Sequence, residues 1–339
     1  MKLKRVGVDL AKRVYQVHGV DEAEQVVVRK TLTRQQFRRF MAQVEPSLVG
    51  MEACGSSHYW ARELAKMGHT VRLMAPQFVK PYVKRNKNDA RDAEAICEAL
   101  SRPTMRYVTV KSAEQQAMQS VHRVRQRVVK SRTALVNELH GLLGEFGIVI
   151  APLGVASMRR ALPRILEDAE NGLPGVMREL VHGLYEELCR VSERMAHLDG
   201  QLKQHGQSDE RVRRIQQVEG IGPVGASAAV AQVGDARQFL KGRDFASWLG
   251  IVPRQHASGG KERLGAISKR GDAYLRTLLI HGARAVVNAS VGKTDRRSLW
   301  IAALVKRRNK NVATVALANK NARIVWAMLV RGENYRKAA

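Results

Sequence analysis

Four carboxylates in the first third of the chain have the types and spacing to hold a metal ion. Asp9 closes a short β-branched run, Lys4 to Asp9, and Glu52 closes another, Ser47 to Glu52. Asp89 and Asp92 lie in Lys87-Asn88-Asp89-Ala90-Arg91-Asp92-Ala93, where an i, i+3 spacing puts both on one face of a helix. Like charges set that close repel by roughly several tenths of a kcal/mol even in water, and a cation is the natural reason to tolerate them. Hard oxygen ligands of this kind suit Mg²⁺ or Mn²⁺. A pair of such ions can stabilise the attacking and leaving oxygens of a phosphodiester displacement. Each acid alone also has an ordinary role: a turn cap for Asp9, a strand end for Glu52, a partner of the helix dipole for Asp89, a surface ion pair for Asp92. As a set they favour a metal site.

A second group lies far downstream, in Pro253-Arg254-Gln255-His256-Ala257-Ser258-Gly259-Gly260-Lys261-Glu262-Arg263. Here a small hydroxyl, Ser258, precedes two glycines and is flanked by Arg254, Lys261 and Arg263. Glycines let a backbone approach a phosphate closely. The cations would hold that phosphate and offset charge in a transition state. A serine hydroxyl needs activation to be a nucleophile; His256 is near in sequence, but nothing in the sequence shows that it reaches Ser258. The segment Gly250 to Gly271 reads as a glycine-rich basic loop, and a plain surface loop is the alternative. Ser268, beside Lys269 and Arg270, is a competing hydroxyl with the look of a helix-start or phosphate-positioning residue. Upstream, Gly220-Ile221-Gly222-Pro223-Val224-Gly225 resembles the turn of helix–hairpin–helix modules. In such modules backbone N–H groups, here those around Gly220, Gly222 and Gly225, hold a DNA phosphate without reading sequence. A tight interhelical turn is the alternative.

The acids need a scaffold, and the first hundred residues supply an α/β one. Alternating runs predict strands at Lys4 to Asp9, Val14 to Val20, Gln25 to Leu32, Ser47 to Glu52 and Thr70 to Met74. Helices are predicted at Thr33 to Val44, with Thr33 as N-cap, at Ser57 to Met67 and at Asn88 to Leu100. The order β-β-β-α-β-α-β-α is that of RNase H-like folds, in which two strand-end acids and a late-helix carboxylate converge. From Ala113 to Leu202 strand signals vanish. Leu188, Val191, Met195, Leu198 and Leu202 form a heptad seam, extended upstream through Val176, Leu180 and Leu184. This predicts a helical arm, two antiparallel helices broken near Gly147 to Pro152 and Pro174, either an intramolecular hairpin or a dimerisation arm. Helices follow at Asp272 to Val287, Ser298 to Arg308 and Val312 to Val330. The expected domains are therefore 1–105, α/β and RNase H-like; 106–208, a helical coiled-coil arm; and 209–339, a mostly α C-terminal domain.

Composition narrows the partners. The 339 residues carry 58 Lys and Arg against 31 Asp and Glu, a net charge of +27. Residues 237–339 hold 22 of those cations and 5 of the acids, so +17 sits in the last third. Such asymmetry points to a polyanion and a phosphate-gripping C-terminal domain. Aromatics are only 5%, which argues against many base-stacking platforms. No stretch approaches the ~18 apolar residues of a membrane span, and Asp9 interrupts any signal-peptide core. The odd, scattered cysteines Cys54, Cys97 and Cys189 fit reduced thiols in the cytoplasm, with no disulfide framework and no zinc spacing.

Taken together, the motifs Gly7-Val8-Asp9-Leu10-Ala11-Lys12, Gly50-Met51-Glu52-Ala53, Asn88-Asp89-Ala90-Arg91-Asp92-Ala93, Val218-Glu219-Gly220-Ile221-Gly222, Gly250 to Gly260 and Ser268-Lys269-Arg270-Gly271-Asp272 resemble those of DEDD-type insertion-sequence transposases, also called bridge recombinases. The resemblance runs over nearly the whole chain in order. It implies a RuvC-like domain whose acids, here Asp9, Glu52, Asp89 and Asp92, bind Mg²⁺ (or Mn²⁺). It implies a C-terminal serine, here Ser258, that attacks DNA to form a covalent phosphoserine. It also implies a nucleoid-associated tetramer guided to donor and target DNA by a structured non-coding RNA. The rivals are a RuvC-like nuclease that hydrolyses DNA with metal-activated water, needing the acids but not Ser258, and a non-catalytic nucleic-acid scaffold.

Overall fold

A computed structural model describes residues 1–84 and 89–336, the side chain of Asp89 excepted. The described residues form two compact units, Met1–Gln116 with Gly234–Leu240, and the remainder from Ala117 to Val233 and from Lys241 onward. No helix among the described residues is long and apolar enough to cross a membrane.

The first unit is built on a mixed six-stranded sheet. Its strands are β1 (Arg5–Leu10), β2 (Val14–Val20), β3 (Val26–Thr33), β4 (Leu48–Glu52), β5 (Thr70–Met74) and β6 (Tyr107–Val108). They lie in the order β3-β2-β1-β4-β5-β6. The meander β1-β2-β3 is antiparallel, β1, β4 and β5 are parallel, and β6 returns antiparallel. The helices are α1 (Arg34–Gln43), α2 (Ser57–Lys66), the short α3 (Pro76–Val79) and α4 (Asp89–Leu100). The expected β-β-β-α-β-α-β-α order is present, with the short α3 and β6 added.

Strand alternation decides which face each helix covers. Val6 and Val8 point to one side, where they are fully buried with Val49, Met51 and Leu73 against Phe37 and Met41 of α1 and Trp60 and Leu64 of α2. Tyr15, Phe37 and Trp60 meet edge to face there, and the Trp60 indole N–H donates to the Tyr15 hydroxyl at 3.0 Å. α1 starts at a full capping box, with Thr33 Oγ1 accepting from Gln36 N at 3.4 Å and Thr33 N donating to Gln36 Oε1 at 2.8 Å. Gly7 points to the opposite face, where a Cβ would strike the Ala93 carbonyl; the missing side chain lets α4 lie directly on the sheet.

In the second unit the helical stretch is three helices rather than two: α5 (Ala113–Gly144), α6 (Val155–Glu167) and α7 (Gly175–Ser208). They share one core of Leu135, Leu139, Leu143, Met158, Leu162, Val181 and Leu188. Val128, Met195 and Leu198 continue it, and Arg125 Nε bonds Asp199 at 2.6 Å between α5 and α7. The seam of α7 is thus buried within the chain over Leu188 to Leu202. Its expected extension is corrected at the start of the helix: Val176 and Leu180 are exposed, and Val181, one position on, faces the core. The seam itself keeps heptad phase, with Val181, Leu188, Met195 and Leu202 all buried, whereas Val176 and Leu180 sit on successive steps of four that overshoot it.

The rest of this unit comprises α8 (Glu210–Ile215), α9 (Pro223–Val233), α10 (Gly242–Trp248), β7 (Pro253–Ser258), β8 (Lys261–Ile267), α11 (Ala273–Ala289), α12 (Arg296–Arg307) and α13 (Lys310–Arg331). The expectation of a loop from Gly250 to Gly271 is corrected: most of that segment is an antiparallel hairpin, β7 against β8. Gly259 and Gly260 both have positive φ, 55° and 75°, as a two-residue hairpin turn requires.

Candidate functional site

Two of the four acids stand side by side. Val8 of β1 pairs with Met51 of β4, so the next position sets Asp9 beside Glu52. Asp9 follows Gly7 by two residues and therefore shares its face, under α4; Glu52 follows Gly50 by two, and a Cβ on Gly50 would strike Leu100 of α4. α4 runs antiparallel to β1. Its Cys97 Sγ lies 3.9 Å from the Arg5 carbonyl, its Ala93 sits at Gly7, and its first turn therefore reaches toward the Asp9 end. Asp92, half-buried, lies in that turn. The Asp89 side chain lies outside the described residues.

Electrostatics agrees that the strand-end carboxylates are close. Burial pushes the Cys54 thiol up, and the negative charges of Asp9 and then Glu52 push it further. All donors on offer are hard carboxylate oxygens, which fits Mg²⁺ or Mn²⁺ in type. Among the described residues no group of three or more His, Cys, Asp or Glu is arranged to hold a metal. A complete shell would therefore need the α4 acids, Asp89 among them, drawn in toward Asp9 and Glu52.

Ser258 occupies the last position of β7, in the second unit. Opposite it on β8 is Lys261, and Arg263 stands opposite His256. Directly paired residues share a face, as do residues two apart on a strand. His256, Ser258, Lys261 and Arg263 therefore project from one side of the hairpin, while Arg254 falls at a break in register between Pro253 and Gln255. A shallow depression is lined by His256, Ala257, Ser258, Lys261 and Arg263. Both faces of the hairpin are exposed from Pro253 to Ala266, which leaves Ser258 open to a large substrate.

The competing hydroxyl is placed differently. Ser268 Oγ is buried with no hydrogen-bond partner among the described residues, and its backbone N–H donates to the Val252 carbonyl at 2.9 Å. The start of α11 is capped instead by Asp272, whose Oδ1 accepts from Leu275 N at 2.7 Å. Lys269 (φ 55°) and Arg270 are exposed at the base of the hairpin. Arg276 fixes that base by donating to the Leu249 carbonyl at 2.9 Å and the Arg270 carbonyl at 3.2 Å.

The turn between α8 and α9 is held from beneath. Gly220, at φ 87°, is pressed against Gly282 of α11. Asn321 of α13, itself buried, donates to the Glu219 carbonyl at 3.0 Å, and Arg297 bridges the Glu219 carboxylate at 3.1 Å and Asn321 Oδ1 at 2.6 Å. Gly222 faces open space at the exposed start of α9, and a Cβ on Gly225 would touch only Ile221. Of the three glycines, Gly220 is accounted for by packing, while Gly222 is free to meet a phosphate. The Glu219–Arg297–Asn321 network escapes sequence reading, because its members lie 24 to 102 positions apart.

Residues 6–148 match a family model described as "Transposase", of the IS110 DEDD type, and residues 212–300 match the "Transposase IS116/IS110/IS902 family". A "Probable family 20 transposase" of Pseudomonas aeruginosa is 60% identical, with 99% of both chains covered. The chain belongs to the IS110-type DEDD transposases. This transposase is also 46% identical to the "Transposase for insertion sequence element IS1111A" of Coxiella burnetii, over 99% of this chain and 92% of that one. It is 40% identical to the "Transposase for insertion sequence element IS1328" of Yersinia enterocolitica, over 98% of each. The family match extends over both the carboxylate unit and part of the unit that carries Ser258, so the enzyme is a DNA transposase by kinship across its length.

Proposed function

We propose that this transposase cuts and rejoins DNA strands through a covalent serine–DNA link, with Ser258 as nucleophile. The observation that carries the reading is the hairpin face: an exposed hydroxyl beside Lys261 and Arg263, while the Oγ of its competitor Ser268 is buried. In the first step a bond forms from Ser258 Oγ to phosphorus and the bond from phosphorus to one sugar oxygen breaks. The cations hold the non-bridging oxygens and offset their growing charge. Because the phosphodiester energy is kept in the link, the freed hydroxyl of another strand can reverse the step and join to a new partner.

Asp9, Glu52, Asp89 and Asp92 are proposed to hold Mg²⁺ or Mn²⁺, which when bound would polarise the scissile phosphate and stabilise the leaving oxygen. The reaction then needs both the carboxylates and the serine at one phosphodiester. We propose that this is met in an assembly of several copies, a tetramer, with donor and target DNA. Exposed Val149, Leu153, Val176 and Leu180 support self-association. Guidance by a structured non-coding RNA is likewise proposed. A chain of net charge +27 with 5% aromatics suits a protein that grips backbones and leaves sequence choice to base pairing.

The test is denaturing electrophoresis of protein incubated with Mg²⁺, end-labelled DNA carrying the element's own terminus, and RNA transcribed from its flank. Wild type should trap a covalent adduct, Ser258→Ala should not, and Ser268→Ala should. Cleavage without any adduct would make hydrolysis by a RuvC-like nuclease the better reading.

A further inference from the structure

Nucleophilic attack by a serine requires somewhere for its proton to go. The hairpin narrows the choice by face. Its titratable side chains are Arg254, His256, Lys261, Glu262 and Arg263. Glu262 is the carboxylate among them, but it pairs with Ala257, one position off Ser258, and so projects from the opposite face. Lys261 and Arg263 share the face of Ser258 as cations, suited to holding phosphate oxygens and, like Arg254, unsuited to taking a proton. His256 is two residues before Ser258 on the same strand, directly opposite Arg263, and lines the same depression as Ser258, Lys261 and Arg263.

We propose that His256 is the proton acceptor for Ser258. The inference rests on the reading of Ser258 as the nucleophile. As Oγ bonds to phosphorus, its proton passes to a ring nitrogen of His256. The electron pair of the breaking P–O bond leaves with the sugar oxygen, which takes a proton from water; the imidazolium then returns its proton to water. A neutral imidazole can accept that proton with only a modest change in its surroundings. The strand geometry adds a reason for the fixed order His256-Ala257-Ser258. A spacing of two keeps both side chains on one face, whereas a spacing of one would put them on opposite sides.

The test is the initial rate of adduct formation by the full-length protein with the DNA and RNA described above. His256→Ala should slow it ~100-fold or more, with DNA affinity and thermal unfolding unchanged, since the hairpin is exposed on both faces. Added imidazole should restore part of the rate in His256→Ala and none in Ser258→Ala. His256→Gln, which keeps hydrogen bonding but not proton uptake, should stay slow. Glu262→Gln, altered on the other face, should match wild type. Wild-type rates in His256→Ala or His256→Gln would overturn the assignment, as would an Ala variant that imidazole cannot restore. An adduct formed by Ser258→Ala would instead overturn the nucleophile reading on which it rests.

Discussion

Gly220 and Gly282 meet backbone to backbone: a Cβ on Gly220 would stand 2.8 Å from the Gly282 carbonyl oxygen, and a Cβ on Gly282 would run into the Gly220 carbonyl. This contact seats the α8–α9 turn on α11, and Arg297 and Asn321 tie the same turn to α12 and α13. Gly282→Ala should therefore lower the free energy of unfolding by ~1–3 kcal/mol, the usual cost of overpacking a tight contact. Gly222→Ala should leave stability nearly unchanged, because its Cβ would meet nothing within 4 Å. It should weaken DNA binding if the start of α9 holds a phosphate. Urea denaturation of the two variants, beside a DNA titration, separates the roles; equal loss of stability in both would refute the division.

The carboxylate proposal makes its own demand. Asp9→Asn and Asp92→Asn keep size and most hydrogen bonding while removing one charge each, from the end of β1 and from the first turn of α4. Strand cleavage in Mg²⁺ should be abolished in both, and DNA or RNA affinity should stay close to wild type, because neither residue belongs to the basic hairpin. Cleavage at the wild-type rate in either variant would remove that residue from the metal site.

The basic face predicts a salt signature. On duplex DNA the logarithm of the affinity should fall against the logarithm of salt concentration with a slope of ~0.9 per phosphate neutralised. Lys261→Ala or Arg263→Ala should reduce that slope by about one such increment and weaken all sequences alike. An affinity indifferent to salt would be incompatible with a phosphate-gripping hairpin. Equilibrium titrations over a range of potassium chloride concentrations give the slope directly.

Much of the first unit could be read from sequence because burial left a period. Val6 and Val8 alternate with Gly7 and Asp9 on β1, and the strands β2 and β5 fall where the alternating runs place them. Thr33 was legible as a cap because Gln36 completes its box. The hairpin β7–β8 was not, because neither face is buried: Pro253 to Ser258 has no apolar alternation and no β-branched residue. The available signal was Gly259-Gly260, a dipeptide that favours two-residue hairpin turns. With β7 read as a loop, the shared face of His256 and Ser258 could not be seen. Gly220 failed differently, since a glycine in a turn looks the same in sequence whether it serves a phosphate or a neighbouring helix. Val176 and Leu180 misled because successive steps of four leave the alternating three-and-four spacing that the buried Val181, Leu188 and Met195 keep.

Acid should weaken the second unit through one buried ring. His122 of α5 is fully buried; Nδ1 lies 3.1 Å from the Tyr274 hydroxyl of α11 and Nε2 lies 3.1 Å from Ser227 Oγ of α9. Burial, then the nearby charges of Arg125 and His205, lower its pKa to about 4. The unfolded chain, with an ordinary histidine pKa near 6.5, binds more protons than the native state between those values. Stability from this group is therefore full above about pH 6.5 and is lost progressively as pH falls toward 4. The total effect is on the order of 3 kcal/mol, from ~1.4 kcal/mol per pKa unit. His122→Gln cannot be protonated, although it sacrifices packing and should be less stable than wild type at pH 7. The gap between the two proteins should narrow steadily from pH 7 to pH 4.5 in urea denaturation, because only the wild type carries this penalty. A gap that stays constant over that range would show that His122 does not resist protonation in the folded protein.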